Sequence, residues 1–342
     1  MPPLPENQTA PAVPPSKAPP PENLPGQHHT WRYIGVLVVL GVVAALVAWW
    51  ANLFPTISAQ HADVILADQK TGTLGLYRVT VPPGSSELLF SDLEGALVVD
   101  SARSPDGSTI AVVLASPDYS GSELRIIDGS GNGTTLVKDD AMRQSVSWRA
   151  DGNAVVSAEL SRKDYETARA ENMVPPPEAF SVIERDLNTG AVTTWGRGTE
   201  PFFIPAADGS SPSVAAVTSR GLAYLTLKGP LMFWPFTSGV EGTIGVKVSI
   251  SSDASHLLIT FPTTKGAEMT LVGIVSWNPF ITGVQTIRTA DFTASTVAGD
   301  GAVASVTKNV SGVYGISLSS STGEMWYSLG DGMTVIAITD LR

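Results

Sequence analysis

Between about Asp63 and the end of the chain at Arg342, short apolar runs recur between clusters of Gly, Asp, Asn, Ser and Pro: ADVILADQ, TIAVVLA, ELRIID, NAVVSAEL, FSVIERD, HLLITF, MTLVGIVSW and TVIAITD. Brief runs rich in Val, Ile and Leu, bounded by turn formers, predict β-strands. They do not alternate with helical patterns, so the region reads as antiparallel β-structure and not as a parallel α/β sheet.

The strands recur with a period. An Asp, usually followed by Gly, returns in similar surroundings as SPDGSTIAVVL around Asp106, RADGNAVVSAE around Asp151, AADGSSPSVAAV around Asp208, SSDASHLLITF around Asp253 and AGDGAVASVTK around Asp300, at spacings of 45, 57, 45 and 47 residues. That period is about the length of one four-stranded propeller blade. The pair has a physical reason to return: Asp caps its own turn, and Gly accepts the positive φ of a tight hairpin between the first two strands of a blade. A second hairpin follows in the unit, as in ELRIID-GSGNG-TTLVK, FSVIERD-LNTG-AVTTW and GISLS-SSTG-EMWYS, and supplies the third and fourth strands.

The two ends of this region complement each other. The chain finishes on TVIAITDLR, a first strand with no successors, while ADVILADQ, LGLYRVTV and SELLFSD are three strands with no first strand before them. Joining them completes a blade, closes the ring and removes the open sheet edges. The expected fold class is therefore all-β, a six-bladed β-propeller over 63–342 whose first blade is closed by 334–342 with 63–92. An open sandwich or two β-domains would explain the strands but not the matched incomplete ends.

The pattern changes towards the N-terminus. Tyr33 to Leu53, YIGVLVVLGVVAALVAWWANL, is apolar and uncharged, and at about 1.5 Å per helical residue it covers a roughly 30 Å hydrocarbon core. Trp31 and Tyr33 at one end, and Trp49 and Trp50 at the other, suit the headgroup boundary. Residues 31–54 are thus expected as a transmembrane helix and 55–62 as a linker. Residues 1–30, with ten prolines before Gln27, are expected as a disordered, partly polyproline-II tail. Lys17 and Arg32 precede the span and the next basic residues are Lys70 and Arg78, so the positive-inside rule puts the tail in the cytoplasm and the propeller outside the cell membrane. A competing reading is a signal peptide cleaved near Ile57-Ser58-Ala59. The long run and the long preceding tail favour an uncleaved anchor.

Composition narrows the class. Hydrophobic residues make up 43% of the 342, enough for a core, while 32 glycines, 25 prolines and a charged fraction of 15% suit many short strands and turns. The lack of cysteine excludes disulfides, thiolate metal sites and a cysteine nucleophile; with a translocated domain it favours a bacterial envelope. A formal net charge of −11 argues against nucleic acid or an anionic lipid surface as partner.

SPDGSTIAVV followed by LRIIDGSGNGTTLV resembles the TolB-type, WD-like propeller repeat, in which a Ser-Pro-Asp-Gly turn and a second Asp-x-x-Gly hairpin mark each blade. Ser104 to Val137 carries the match; the units around Asp151, Asp208, Asp253 and Asp300 lack the Ser-Pro. The resemblance implies an extracytoplasmic propeller that binds proteins, without naming the partner. A fainter similarity to quinone-dehydrogenase-like propellers rests on Thr189-Gly190 before Trp195 and Thr322-Gly323 before Trp326. The spacing departs from that pattern, so both tryptophans are expected to pack blades.

Candidate chemistry is sparse. The histidines are His28, His29, His61 and His256, scattered over tail, stalk and one strand, and no Gly-x-Ser-x-Gly, His-Glu-x-x-His or phosphate loop occurs. No catalytic residue, cofactor or metal is expected. Asp128-Gly-Ser130-Gly-Asn132-Gly133 with Asp139 has a loose calcium-loop spacing, but its flanking strands give the same residues an ordinary hairpin role. The most individual feature is the insertion LSRKDYETARAENMVPPPE, Leu160 to Glu178, which lengthens one spacing to 57. Its first part suits a helix, stopped by Pro175-Pro176-Pro177. Together with SPDYSGS, Ser116 to Ser122, it should rise over the face that carries the links between blades, where binding residues concentrate. Tyr119, Tyr165 and Arg169 are the expected partner-binding rim. The functional expectation is a membrane-anchored scaffold that binds a protein or envelope component through one propeller face. The alternative is a hydrolase or lyase using acidic residues at the central channel.

Overall fold

The computed structural model describes residues 60–68, 74–81, 85–91, 95–204, 213–226, 229–235, 245–251, 255–263, 266–273, 282–289, 295–308, 311, 313–320, 323–329 and 333–341. All belong to one compact unit, Ser58–Arg342. The expected tail and the apolar run Tyr33–Leu53 lie outside the described residues, as do the turns around Asp208 and Asp253. Among the described residues no helix is long and apolar enough to cross a membrane. Residues 60–62 of the expected linker are already strand.

Among the described residues, six four-stranded antiparallel sheets are present. In the first, β24 (Met333–Leu341) precedes β1 (Gln60–Asp68), β2 (Leu74–Val81) and β3 (Ser85–Ser91). The second holds β4 (Leu97–Arg103), β5 (Thr109–Ala115), β6 (Ser122–Asp128) and β7 (Gly133–Asp139), and the third β8 (Met142–Trp148), β9 (Ala154–Leu160), β10 (Ser181–Asp186) and β11 (Val192–Arg197). The fourth holds β12 (Thr199–Ile204), β13 (Ser213–Thr218), β14 (Gly221–Thr226) and β15 (Gly229–Pro235), and the fifth β16 (Lys247–Ile250), β17 (His256–Thr263), β18 (Gly266–Gly273) and β19 (Thr282–Thr289). The sixth holds β20 (Ser295–Val297), β21 (Val303–Lys308), β22 (Tyr314–Ser320) and β23 (Gly323–Ser328). The first strands β4, β8, β12, β16, β20 and β24 touch in that cyclic order, with β24 returning to β4. The sheets therefore form a closed ring and these six strands surround its axis. Closure is the one expected from the incomplete ends: β24 pairs with β1 from Ala62 opposite Leu341 to Asp68 opposite Met333.

The second strand of a blade is buried on both faces, which explains why TIAVVLA and NAVVSAEL show no alternation. Side chains still alternate in direction. Ile110, Val112 and Leu114 pack towards the first blade against Ile65 and Leu76, whereas Ala111 and Val113 pack towards the third against Val146, Trp148 and Val155. Ala154 and Val156 then meet Phe203, Val214 and Ala216 of the fourth blade. The core is a set of such layers between neighbouring sheets.

The repeated Asp-Gly turns do what their residues predict. Asp106 accepts from Ser104 Oγ at 2.6 Å and from Ser108 N at 3.0 Å, Asp151 from Asn153 N at 2.9 Å, and Asp300 from Ala302 N at 2.9 Å. Gly107, Gly152 and Gly301 sit at φ of 77°, 71° and 80°, open to glycine at little cost.

Antiparallel order fixes the two faces of the ring. Each first strand starts at the face of the blade links and ends at the opposite face, and its second strand returns to the starting face. The connections from second to third strand, including the insertion, therefore share that face with the starts of all six axial strands.

Candidate functional site

The insertion joins β9 to β10 and contains α1 (Arg162–Ala170). Ser161 caps its start, accepting from Asp164 N at 3.1 Å and donating to Asp164 Oδ2 at 2.7 Å. At its end Asn172 adopts a left-handed φ of 51°, while Met173 N donates to Ala168 O at 2.9 Å and Asn172 N to Arg169 O at 3.2 Å. This paired closure satisfies the last carbonyls. Asn172, not the expected Pro175-Pro176-Pro177, thus stops the helix; the prolines lead into a 3₁₀ turn at Pro177–Ala179.

The structure separates the three expected rim residues into different roles. Tyr165 is half-buried beneath α1, packed on Ala158, Leu160 and Phe180. Arg169 is exposed in the last turn of α1, and Tyr119 is exposed in the loop between β5 and β6 with a φ of 56°. Arg162, absent from the expected rim, connects Tyr119 with Tyr165. Its Nη1 donates to Tyr119 O at 2.7 Å, and its guanidinium lies 5.7 Å from the centre of the Tyr165 ring. The three-residue spacing of Arg162 and Tyr165 is a helix-face signal that was available in the sequence. Beyond α1, Met173 and Val174 leave 58% and 62% of their surface exposed. A capped and docked helix therefore carries large exposed apolar side chains just beyond its last turn, while its first residue is tied to Tyr119.

The other sequence candidates have structural roles. Asp128 accepts from Ser130 N at 2.8 Å and Asn132 N at 2.9 Å, while Asp139 accepts from Arg143 Nη2 at 2.9 Å. These aspartates stand at opposite ends of the β6–β7 hairpin, where Asp139 pairs with Ser122, so about 20 Å of strand separates them. They do not form a calcium loop. His256 Nδ1 lies 2.8 Å from Ser255 Oγ, and its ring covers Gly301 of the next blade; His61 pairs with Thr80 Oγ1 at 3.1 Å. Trp195 packs between blades and donates to Glu184 at 2.6 Å. Trp326 instead lies on an outermost strand across Gly315 and donates to Thr307 Oγ1 at 2.9 Å.

The axial strands contribute a second constellation. Lys247 is the first residue of β16 and Glu200 the second of β12, so both stand at the channel mouth on the insertion-bearing face. Lys247 Nζ meets Glu200 Oε1 at 2.9 Å. Asp100 lies on β4, three blades from β16 and therefore across the axis. Bulges shape both acidic positions: Glu200 and Pro201 on β12 face the single residue Ala216, and the register of β4 shifts between Val98 and Asp100. Such bulges re-aim side chains. Glu200 has the left-handed φ of 49° and is 8% exposed.

Lys247 leaves 51% of its side-chain surface open to solvent, as expected for a group facing a hollow axis. Glu200 beside it holds the ammonium pKa above its ordinary value, and Asp100 adds to the effect. Asp100 accepts from Val146 N at 2.9 Å. Burial pushes its carboxyl up to about 7; Glu200 adds to the rise, while Lys247 and the N–H groups of Val146 and Ser101 oppose it.

No family model matches the chain, and no curated protein matches it. Among solved structures, TolB from Acinetobacter baumannii is similar at 14% identity and a TM-score of 0.55, with 83% of this chain and 67% of that one covered. An oligogalacturonate lyase from Vibrio parahaemolyticus is similar at 11% identity and a TM-score of 0.47, with 80% of each chain covered. A putative 6-phosphogluconolactonase from Bacteroides fragilis is similar at 12% identity and a TM-score of 0.47, covering 84% of this chain and 98% of that one. At such identities likeness reports fold alone, and the likeness to TolB together with the closed ring establishes a six-bladed β-propeller of TolB-like architecture.

Proposed function

We propose that this chain is a membrane-anchored extracytoplasmic scaffold that binds a protein or envelope component through the insertion-bearing face of its propeller. One observation carries the reading: α1 is fixed at both ends and tied to Tyr119 through Arg162, so exposed apolar side chains stand on a preorganised support, Tyr119 at the start of the helix and Met173 and Val174 beyond its end. Large aromatic and Met side chains on rigid supports are what partner-binding faces use. The apolar, uncharged run Tyr33–Leu53 supports the anchor, and the basic residues before it support an outward-facing propeller.

Crosslinking in intact cells, followed by identification of captured proteins, tests the proposal. The triple variant Tyr119→Ala, Met173→Ser, Val174→Ser should lose capture while keeping its melting temperature, because all three side chains are exposed. Unchanged capture would sink the reading. The enzyme alternative draws on Asp100 and Glu200 at the axis. It expects Asp100→Asn to abolish a turnover and leave capture intact.

A further inference from the structure

The β6–β7 hairpin carries an exposed asparagine followed by glycine, Asn132-Gly133, the one Asn-Gly step in the chain. Such a step suits a tight turn. It is also where a backbone nitrogen most readily reaches the preceding side-chain amide, because glycine brings no β-carbon to crowd the approach. The ladder leaves that nitrogen unused. Asp128 N donates to Asn132 O at 2.9 Å and Asn132 N to Asp128 Oδ1 at 2.9 Å, so these two residues make the bonds that close the hairpin. Bonded and non-bonded pairs alternate along an antiparallel ladder; Gly133, opposite Ile127, therefore turns its N–H away from β6. Because β7 is the outermost strand of its sheet, no strand of that sheet stands on the other side to accept it. The Asn132 side chain itself is exposed and makes a long contact, Nδ2 to Asp128 Oδ2 at 3.3 Å.

Packing explains why glycine stands at 133. A β-carbon there would lie 2.6 Å from Arg125 Cδ. Arg125 is held on Glu123 at 2.7 Å and lies over the Phe90 ring of the first blade, 5.9 Å from its centre. The labile step is thus kept by a contact between blades.

We propose that Asn132 is a site of spontaneous deamidation, a slow modification that changes charge and chain geometry at the hairpin tip. The Gly133 nitrogen attacks Asn132 Cγ and forms the N–Cγ bond of a succinimide ring; Nδ2 leaves as ammonia, taking up the proton from Gly133 N. Water then opens the ring at either carbonyl and gives aspartate or isoaspartate at position 132. Either product sets a new carboxylate beside Asp128, whose own carboxyl is held below its ordinary range, chiefly by Asn132 N–H, and is ionised at neutral pH. Isoaspartate also inserts a methylene between N and O of residue 132, the two atoms that make the closing bonds. The tip therefore loosens. It lies beside the turn between β4 and β5, since a β-carbon on Gly129 would stand 3.8 Å from Ser108 O. That is the face away from the insertion, so the modification leaves capture through the apolar side chains around α1 untouched.

The test ages the folded, full-length protein in mildly alkaline buffer and maps tryptic peptides by mass spectrometry. Peptide Ile126–Lys138 should gain the mass that exchanges an amide for a carboxyl, and should become a substrate for isoaspartyl methyltransferase. The gain should be at least about tenfold faster than at Asn153, Asn172 or Asn188, whose following residues Ala154, Met173 and Thr189 carry a β-carbon. Asn132→Gln should abolish it, and the aged protein should exchange the amides of Asp128 and residue 132 faster than the fresh protein. Equal rates at the four asparagines, or a gain that occurs in urea but not in the folded protein, would overturn the proposal. Unchanged amide exchange after modification would overturn the loosening. Neither result bears on capture in intact cells, which the Tyr119, Met173 and Val174 variant tests separately.

Discussion

Replacing Arg103 with Met tests whether buried charge, as well as strand pairing, holds the ring shut. Asp63 on β1 and Asp340 on β24 are register partners across the seam that joins the two ends of the propeller. Arg103, reaching from the second blade, places Nε 2.6 Å from Asp63 Oδ2 and 3.9 Å from Asp340 Oδ2, and its Nη1 donates to Gly107 O at 3.1 Å. The Arg103 and Asp63 side chains are 6% and 4% exposed. Truncating one member of a buried pair costs about 3–5 kcal/mol, because the other charge is left without compensation. Two features favour the lower end: Arg78 remains 3.8 Å from Asp63, and Arg103 Nη2 is buried without a hydrogen-bond partner. A loss of about 3 kcal/mol, set against an unfolding entropy of about 0.6 kcal/mol/K for roughly 280 residues, lowers Tm by about 5 °C. Hydrogen exchange should accelerate first in β1 and β24, the strands that Arg103 bridges. Adding Asp63→Asn to the Arg103→Met variant should restore most of the loss, since no buried carboxylate then remains at that position. A Tm change below about 1 °C, or strictly additive losses in the double variant, would refute the reasoning.

Two further outcomes follow from local geometry. A Cβ added at Gly315 would run into the Trp326 ring and Tyr327 O, so Gly315→Ala should cost about 1–3 kcal/mol. It should also red-shift tryptophan emission as Trp326 is displaced from its bond to Thr307; unchanged emission and stability would contradict the packing described. Asp100 holds its proton up to about pH 7 in the folded chain but only to 3.8 when unfolded. Its raised folded pKa therefore contributes stability that is fully present below 3.8 and is lost as pH rises towards 7. Between pH 5 and pH 8 the unfolding free energy of the native chain should fall by about 2 kcal/mol more than that of Asp100→Asn, measured by urea denaturation. Equal pH slopes would show that the carboxyl is not held protonated.

Much of the architecture is written locally. Asp106, Asp151 and Asp300 bind backbone N–H groups two residues ahead and the glycines after them take positive φ, so turn, hairpin and blade period are decided within a few residues. The complementary incomplete ends add the ring closure seen between β1 and β24. The helix in the insertion was legible too, but its end was not read correctly. The three prolines are the stronger sequence signal, yet Asn172, able to enter the left-handed region, closes the helix first.

What the tertiary structure alone decided is which distant residues share a space. Glu200 and Lys247 come from different blades, and nothing in their flanking residues marks them as neighbours; they meet because β12 and β16 are adjacent at the axis. Arg103 reaches both ends of the propeller only after the last strand has returned to the first, and Tyr119 is tied to α1 through Arg162 of the adjacent blade. Tyr165 is half-buried on Ala158, Leu160 and Phe180 because the surface beneath α1 exists only once β9 and β10 have paired. Local sequence determines dihedral angles and short hydrogen bonds; the placement of side chains across a ring depends on how six twisted sheets pack, which no single segment encodes.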